Sequence, residues 1–262
     1  MALEINSHIV TTPPRDAATV ILLRDGVTGL EVFLMRRAEQ SGVLGGAYVF
    51  PGGKLDDADL VQAEGLLPTV DADRCRRQLG EPGLSDVLAV GLHLAAMREA
   101  AEECGVQLAL DALVPWSRWV TPRQASLMNK RFDTRFFVAA LPGTQQAVHD
   151  DFETTASEWM TPRDALARYW AGEFDMAPPQ IMSLVHLNRL AAVDEVLALA
   201  RYSATPTVQP EPFDEDGMRV ICYPGDPQHS QSVAVMPGPT RLMFRRKRFE
   251  PPSGTLDELL TA

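Results

Sequence analysis

The chain has 262 residues, 45% hydrophobic and 23% charged, with a formal net charge of −11. That balance is globular, with room for a sizeable core, and the acid excess excludes a general nucleic-acid binder, which needs a basic face against phosphates. A small phosphorylated ligand stays compatible, because a metal ion can supply local positive charge.

Residues 1 to about 15 are polar, end in Thr-Thr-Pro-Pro and read as an arm. Ala17–Leu23 is a buried-strand pattern closed by Arg24-Asp25-Gly26, and Glu31–Met35 is a second strand, so the two predict a hairpin with Arg36 and Arg37 at its end. Gly42, Gly45 and Gly46 make a loop before a short third strand, Ala47–Phe50, and Pro51-Gly52-Gly53 then turns the chain. Those glycines either permit the turn or let backbone N–H groups approach an anion. Lys54 to about Ser85 lacks apolar residues in phase and reads as a surface excursion with one short helix near Asp71–Leu79.

A longer helix follows. Ser85 is its expected N-cap and Gly105 its left-handed C-cap. Val87, Val90, Leu94, Met97, Ala101 and Cys104 form a helical apolar stripe, while Glu99, Glu102 and Glu103 fall at i, i+3 and i+4. The pattern predicts one side that anchors and an opposite side that presents acid. Three packed carboxylates repel one another unless a cation sits among them, and a hard divalent ion takes oxygen ligands together with substrate phosphates. The plain alternative is a solvated acidic face.

Trp116–Val120 and Phe132–Leu141 read as strands whose aromatics belong to the core. An acidic loop, His149–Glu158, leads to a short strand, Glu158-Trp159-Met160. Thr161-Pro162 opens a helix, and Pro178-Pro179 opens another that runs to about Ala200. Beyond Tyr202 come a turn (Asp214–Gly217), a strand (Met218–Tyr223) and a basic strand (Arg241–Arg248). The whole suggests α/β layers. No apolar run approaches the ~18 residues that span a bilayer. The N-terminus lacks the order of a signal peptide, the C-terminal Leu-Thr-Ala is no peroxisomal signal, and Cys75, Cys104 and Cys222 form no C-x-x-C pair. A cytoplasmic protein, with no nucleic-acid or membrane partner, is expected.

Gly-Gly-Lys before the excursion and R-E-A-A-E-E-C-G-V after it together resemble the Nudix box, G-x5-E-x7-R-E-U-x-E-E-x-G-U. The second half matches at Arg98, Glu99, Glu102, Glu103 and Gly105. In the first half the expected glutamate, counted from Gly53, is Asp59, and the gap to Arg98 holds 38 residues rather than seven. The coenzyme A diphosphatase branch, the mammalian peroxisomal type, shares that long gap. It is similar to this chain in AATVILLRD, GAYVFPGGKLDDAD, PWSRWVTP, KRFDTRFFVAAL, Pro178-Pro179-Gln180 and DGMRVICYPGD.

The resemblance implies an α/β/α sandwich around a mixed sheet. It divides the chain into an arm (1–15), a Nudix domain (16–200, insertion about 60–85) and an extension (201–262) packed on it. It further implies Mg²⁺ or Mn²⁺ held by Glu99, Glu102, Glu103 and Glu153. Arg98 would steady a glutamate, and Glu153, with Asp151 as second choice, would be an additional ligand or general base. Gly52, Gly53 and Arg36, together with Arg37, would meet the substrate, the alternative for the two arginines being surface residues at a strand end. Arg245, Arg246, Lys247 and Arg248 either meet a 3′-phosphate or form a solvated face. The implied reaction is hydrolysis of CoA or acyl-CoA to 3′,5′-ADP and a 4′-phosphopantetheine product. Its rivals are pyrophosphatase action on ADP-ribose or NADH and a non-catalytic nucleotide sensor. Family habit also allows a homodimer.

Overall fold

The computed structural model describes residues 8–39, 45–124, 127, 130–150 and 153–261. Strand β1 (Arg15–Gly26) is the centre of the sheet. Successive strand side chains take opposite faces, so Ala18, Val20 and Leu22 enter one core and Ile21 and Leu23 the other. With β2 (Gly29–Arg37) it makes the expected hairpin. β3 (Tyr48–Val49), β4 (Gly52–Lys54), β5 (Val114–Val120), β6 (Phe132–Ala140), β7 (Thr154–Met160) and β8 (Thr207–Val208) complete eight strands. Their order is β3-β2-β1-β6-β5-β8, with β4 on β1 and β7 on β2. β1 runs parallel to β6 and β5 to β8, the other pairs being antiparallel, so the sheet is mixed.

Helices cover both faces. α1 (Asp57–Leu66), α2 (Ala72–Leu79) and α3 (Asp86–Cys104) share a core with Val20, Phe33 and Phe137. α4 (Pro162–Ala171), α5 (Pro178–Leu187) and α6 (Val193–Tyr202) share the other with Ile21, Leu34 and Val138. A second sheet, β9 (Glu211–Glu215), β10 (Met218–Cys222), β11 (Arg241–Arg245) and β12 (Arg248–Glu250), and then α7 (Leu256–Thr261) add Ile221, Phe249 and Leu259 to that same core. This is the expected α/β/α sandwich.

The sheet is split where it matters. β1 pairs with β2 only over Leu23–Gly26 and, nearer its start, with β4 over Ala17–Thr19. β2 meanwhile turns to β7 over Val32–Arg37. The two central strands therefore diverge, and the Pro51-Gly52-Gly53 segment fills the wedge, with the Val20 N–H donating to the Pro51 carbonyl at 2.8 Å.

Several expectations need correction. The excursion carries two helices and is not merely a surface feature. Asp56 and Asp59 form a capping box that starts α1, and Ala63, Cys75 and Leu79 are buried against α3. Residues 52–54 continue as a strand, not only a turn. The helix from Pro178 breaks after Leu187, because the Ala191 carbonyl accepts from Leu30 and the Val193 N–H donates to Asp25, both at the β1–β2 turn. The basic strand is a hairpin, since Arg246 and Lys247 take φ of 48° and 64°, the left-handed pair a two-residue turn requires. β8 and β9 had not been anticipated. Ser85 and Gly105 cap α3 as expected.

Candidate active site

The wedge opens on a cavity of about 670 Å³. Every second residue of β1 and β6 faces it: Arg15, Ala17, Thr19, Phe132, Thr134 and Phe136. Across the strand order its lining changes character. On the β2–β4 side stand Arg37, Gly52, Gly53 and the carboxylates, while on the β5 side stand Trp119, Val120 and, beyond them, Ile221 and Pro210.

Glu99, Glu102, Glu103 and Glu153 all line the cavity. The helix does not present them on a solvent face. Glu99 and Glu103 are only 9% and 8% exposed, and the expected opposition of apolar and acid sides gives way to a helix buried most of the way round. Of the three on the helix Glu102 alone reaches solvent, its side chain 60% exposed, and Glu153 is exposed as well.

Two glycines allow this burial. The Gly52 N–H donates to Glu103 Oε2 at 2.8 Å. A Cβ on Gly53 would stand 2.2 Å from Glu99 Oε1, so any side chain there would expel that carboxylate. The strand backbone and the acidic helix touch because Gly53 lacks a Cβ, while at Gly52 a Cβ would collide with Thr19 and Ala18 of β1 and push the donating N–H away.

Arg98 organises the cluster. Its Nε and Nη2 donate to the two oxygens of Asp59, each at 3.0 Å, in the bidentate arrangement a guanidinium favours. Nη1 donates to Glu99 at 2.8 Å and Glu102 at 3.0 Å, and Nη2 also to the Lys54 carbonyl at 3.1 Å. Hydrogen bonding to Asp59, above all, holds the guanidinium in its charged form. Asp59 thus reaches Arg98 across the long gap, because α1 folds the excursion back onto α3.

The remaining charge is unbalanced. Burial pushes the Glu103 carboxyl up to about 8, with the Gly52 N–H pulling the other way and Glu99 and Glu153 adding repulsion. Burial also raises Glu99, against the pull of Arg98. A pocket of buried carboxylates with oxygen donors only fits a hard divalent cation. Among the described residues, however, no group of three or more acidic, His or Cys side chains stands ready at metal-holding geometry. Arg98 draws Glu99 and Glu102 to itself, and Gly52 engages Glu103.

Other expected residues divide. Arg36 is not in the lining and pairs with Glu39 at 3.3 Å on the surface. Arg37 lines the cavity instead, its Nε buried without a partner. Glu153 stands just before β7, its carbonyl accepting from Ala38 at 2.9 Å and its N–H donating to Asp150. Asp151 and Gly42 lie outside the described residues. The run Arg245–Arg248 divides: Arg246 and Lys247 are exposed at the turn, as a solvated face would be, while Arg246 and Arg248 share the buried Glu250 and the Arg248 guanidinium lies 4.2 Å over the Trp170 ring. None of its members lines the cavity. The sequence reading missed Arg15, Lys130 and Gln180, which do. The two-residue alternation of β1 would have found Arg15.

Known proteins bear on this geometry. The family model for the NUDT19 Nudix domain matches residues 108–187, a stretch that follows the acidic helix and takes in Glu153. The acyl-coenzyme A diphosphatase NUDT19 of Xenopus laevis is 23% identical over 246 residues, covering 66% of this chain and 63% of that protein. The human protein of the same name is 25% identical, covering 64% of this chain and 63% of that one. The chain thus spans under two thirds of the length of either relative. The crystal structure of a Nudix hydrolase from Alicyclobacillus acidocaldarius superposes with a TM-score of 0.58 at 26% identity, over 72% of this chain and 97% of that one. With the split sheet and the box residues in place, these likenesses point to one class: the chain resembles the Nudix hydrolases. Within that class it resembles the coenzyme A diphosphatase branch.

Proposed function

We propose that this enzyme hydrolyses the diphosphate linkage of CoA or an acyl-CoA, releasing 3′,5′-ADP and a 4′-phosphopantetheine product. The observation that carries the chemistry is four carboxylates on the wall of one cavity, two of them buried, with a single arginine, Arg98, bonded among them. Glu99, Glu102, Glu103 and Glu153 are the residues that would hold Mg²⁺ or Mn²⁺. Such an ion, when bound, would supply positive charge to the diphosphate oxygens and make water a better nucleophile. Arg98 positions Glu99 and Glu102 from behind. Glu153 is the assigned base: it takes the proton as water attacks one phosphorus, the bridging P–O bond breaks, and the second phosphate leaves with the bridging oxygen. Arg37 is placed to meet a phosphate oxygen with its unpartnered Nε. The substrate rests on resemblance to acyl-CoA diphosphatases, supported by a cavity that is acidic on one side and apolar on the other.

Cys75, Cys104 and Cys222 are all buried free thiols, which suits the reducing cytoplasm we assign. No helix among the described residues is long and apolar enough to cross a membrane.

A chromatographic product assay tests the reading. Purified protein with Mg²⁺ or Mn²⁺ meets CoA, acetyl-CoA, a long-chain acyl-CoA, NADH and ADP-ribose. Appearance of 3′,5′-ADP from a CoA substrate faster than AMP from the others is the expected result. Dominant AMP would keep the carboxylate centre and overturn the substrate. No turnover, with thermal stabilisation by nucleotide, would indicate a sensor.

A further inference from the structure

Of the four carboxylates on the cavity wall, three are held by a bond to the side chain. Arg98 bonds Glu99 and Glu102, and the Gly52 N–H bonds Glu103. The side chain of Glu153 has no hydrogen bond or ion pair among the described residues. Its charge nevertheless repels Glu99 and Glu103. Like charges at close range push apart, and an exposed side chain with no partner gives way. What keeps Glu153 at the wall is its backbone.

Both main-chain groups of Glu153 are engaged. Its carbonyl accepts from the Ala38 N–H at 2.9 Å, just past the end of β2. Its N–H donates to the two oxygens of Asp150, at 3.2 and 3.1 Å. Asp150 Oδ1 also accepts the Thr154 N–H at 3.1 Å and the Thr154 hydroxyl at 2.9 Å. Thr154 is the first residue of β7, buried and in register with Arg37. One carboxylate thus closes the turn by gathering two successive N–H groups, a local bond pattern that fixes the residues it spans. The other end of the turn is anchored too. The Val148 N–H donates to the carbonyl of Cys104, the last residue of α3, at 3.1 Å, and His149 Nδ1 lies 2.9 Å from Ser157 Oγ on β7. Glu153 is therefore tied both to β2 and to the helix that carries Glu99 and Glu103.

We infer that Asp150 is a positioning residue for Glu153: its carboxylate clamps the backbone from which the assigned base reaches the cavity. The inference rests on the proposed function for the role of Glu153. Asp150 is not itself the base, because it is not in the cavity lining and its oxygens turn to its own main chain. The clamp needs an acceptor at Oδ1, which an amide supplies as well as a carboxylate.

Asp150→Ala and Asp150→Asn in the full chain test this by two readouts. In metal-free protein, amide hydrogen exchange at Glu153 and Thr154 quickens roughly tenfold or more in Asp150→Ala and stays near the wild-type rate in Asp150→Asn, with the α3 amides unchanged. On the substrate the product assay shows to be cleaved fastest, kcat falls on the order of 10- to 100-fold in Asp150→Ala, as for a displaced catalytic group. KM stays within about twofold, and Asp150→Asn restores kcat. The loss disappears on a Glu153→Gln background, since a base already removed cannot be misplaced. Thr154→Val removes one of the bonds isosterically, lowers kcat by about threefold, and serves where Asp150→Ala does not fold. Full kcat in these two variants, equal damage from Asp150→Asn, or an undiminished loss on the Glu153→Gln background overturns the inference and leaves the role of Glu153 standing. Unchanged kcat in Glu153→Gln overturns the base assignment and the inference with it.

Discussion

Two acidic clusters in this molecule are built from the same residue types and differ in their cations. In the first, Glu81, in the loop between α2 and α3, receives Arg135 at 2.9 and 2.7 Å and Arg118 at 2.9 Å. Asp133 receives Arg118 at 2.8 and 2.6 Å, and Asp16 receives Arg135. Each carboxylate there has a guanidinium, and Arg135 is buried at 3% exposure. In the second, Arg98 is the only guanidinium among the described residues bonded to Asp59, Glu99 and Glu102, and Glu103 has merely a backbone N–H. Burying unpaired charge is costly, so a protein tolerates the second arrangement where a ligand completes it. The first staples the insertion to the sheet. The second is the site we propose.

The difference can be broken from either side. The largest effect is expected for Glu103→Gln, which keeps an acceptor for Gly52 but removes a charge. Turnover should fall on the order of 10³-fold, because a catalytic metal supplies several kcal/mol, with a melting temperature in the absence of metal that rises or at least does not fall. Arg135→Met strikes the other cluster. It leaves Glu81 with one partner and should cost about 3 kcal/mol in urea unfolding, with kcat at permissive temperature preserved.

A third test separates the pH response of the core from that of the site. His93 on α3 lies buried against Phe137, its Nδ1 bonded to the Ala89 carbonyl at 2.8 Å and its Nε2 unpartnered. Burial lowers its pKa from 6.5 to about 4. The folded pKa is below the unfolded one, so the unfolded chain binds the extra proton in that window. Stability is complete above 6.5 and declines as pH falls towards 4, by up to about 3 kcal/mol. His93→Leu should flatten that acid limb; an unaltered limb would assign it elsewhere. The smallest effect is expected at Arg36→Ala. Its exposed pair with Glu39 is worth less than about 0.5 kcal/mol, and kcat/KM should not move.

The fold was legible wherever periodicity was strong. The β1–β2 hairpin, both caps of α3, the strands around Phe136 and the Thr161-Pro162 helix start stand as the pattern of apolar residues implies. α1 escaped because its apolar residues keep no helical phase, although the pair Asp56 and Asp59 was a readable capping box. The Arg246-Lys247 turn escaped because neither residue advertises a left-handed conformation. That Glu99, Glu102 and Glu103 would stand close together was legible from their spacing; that Glu153 would join them on one cavity wall was implied by the resemblance. Their burial was not, since it depends on Gly53, 46 positions before Glu99, letting β4 lie against α3, and on Gly52 fitting β4 against β1. Nor was the choice of Arg37 over Arg36, which is decided at the β-bulge between them. Local chemistry wrote the carboxylates into one helix, and long-range pairing decided what they face.

The most direct test of the central contrast is a Mn²⁺ titration of metal-free protein, read by electron paramagnetic resonance as loss of free ion. The wild type and Glu81→Gln should take up Mn²⁺ with equal affinity, and Glu103→Gln should bind it at least about tenfold more weakly. Equal uptake by all three, or weakening by Glu81→Gln instead, would contradict the assignment of the Glu99–Glu103 cluster as the cation site.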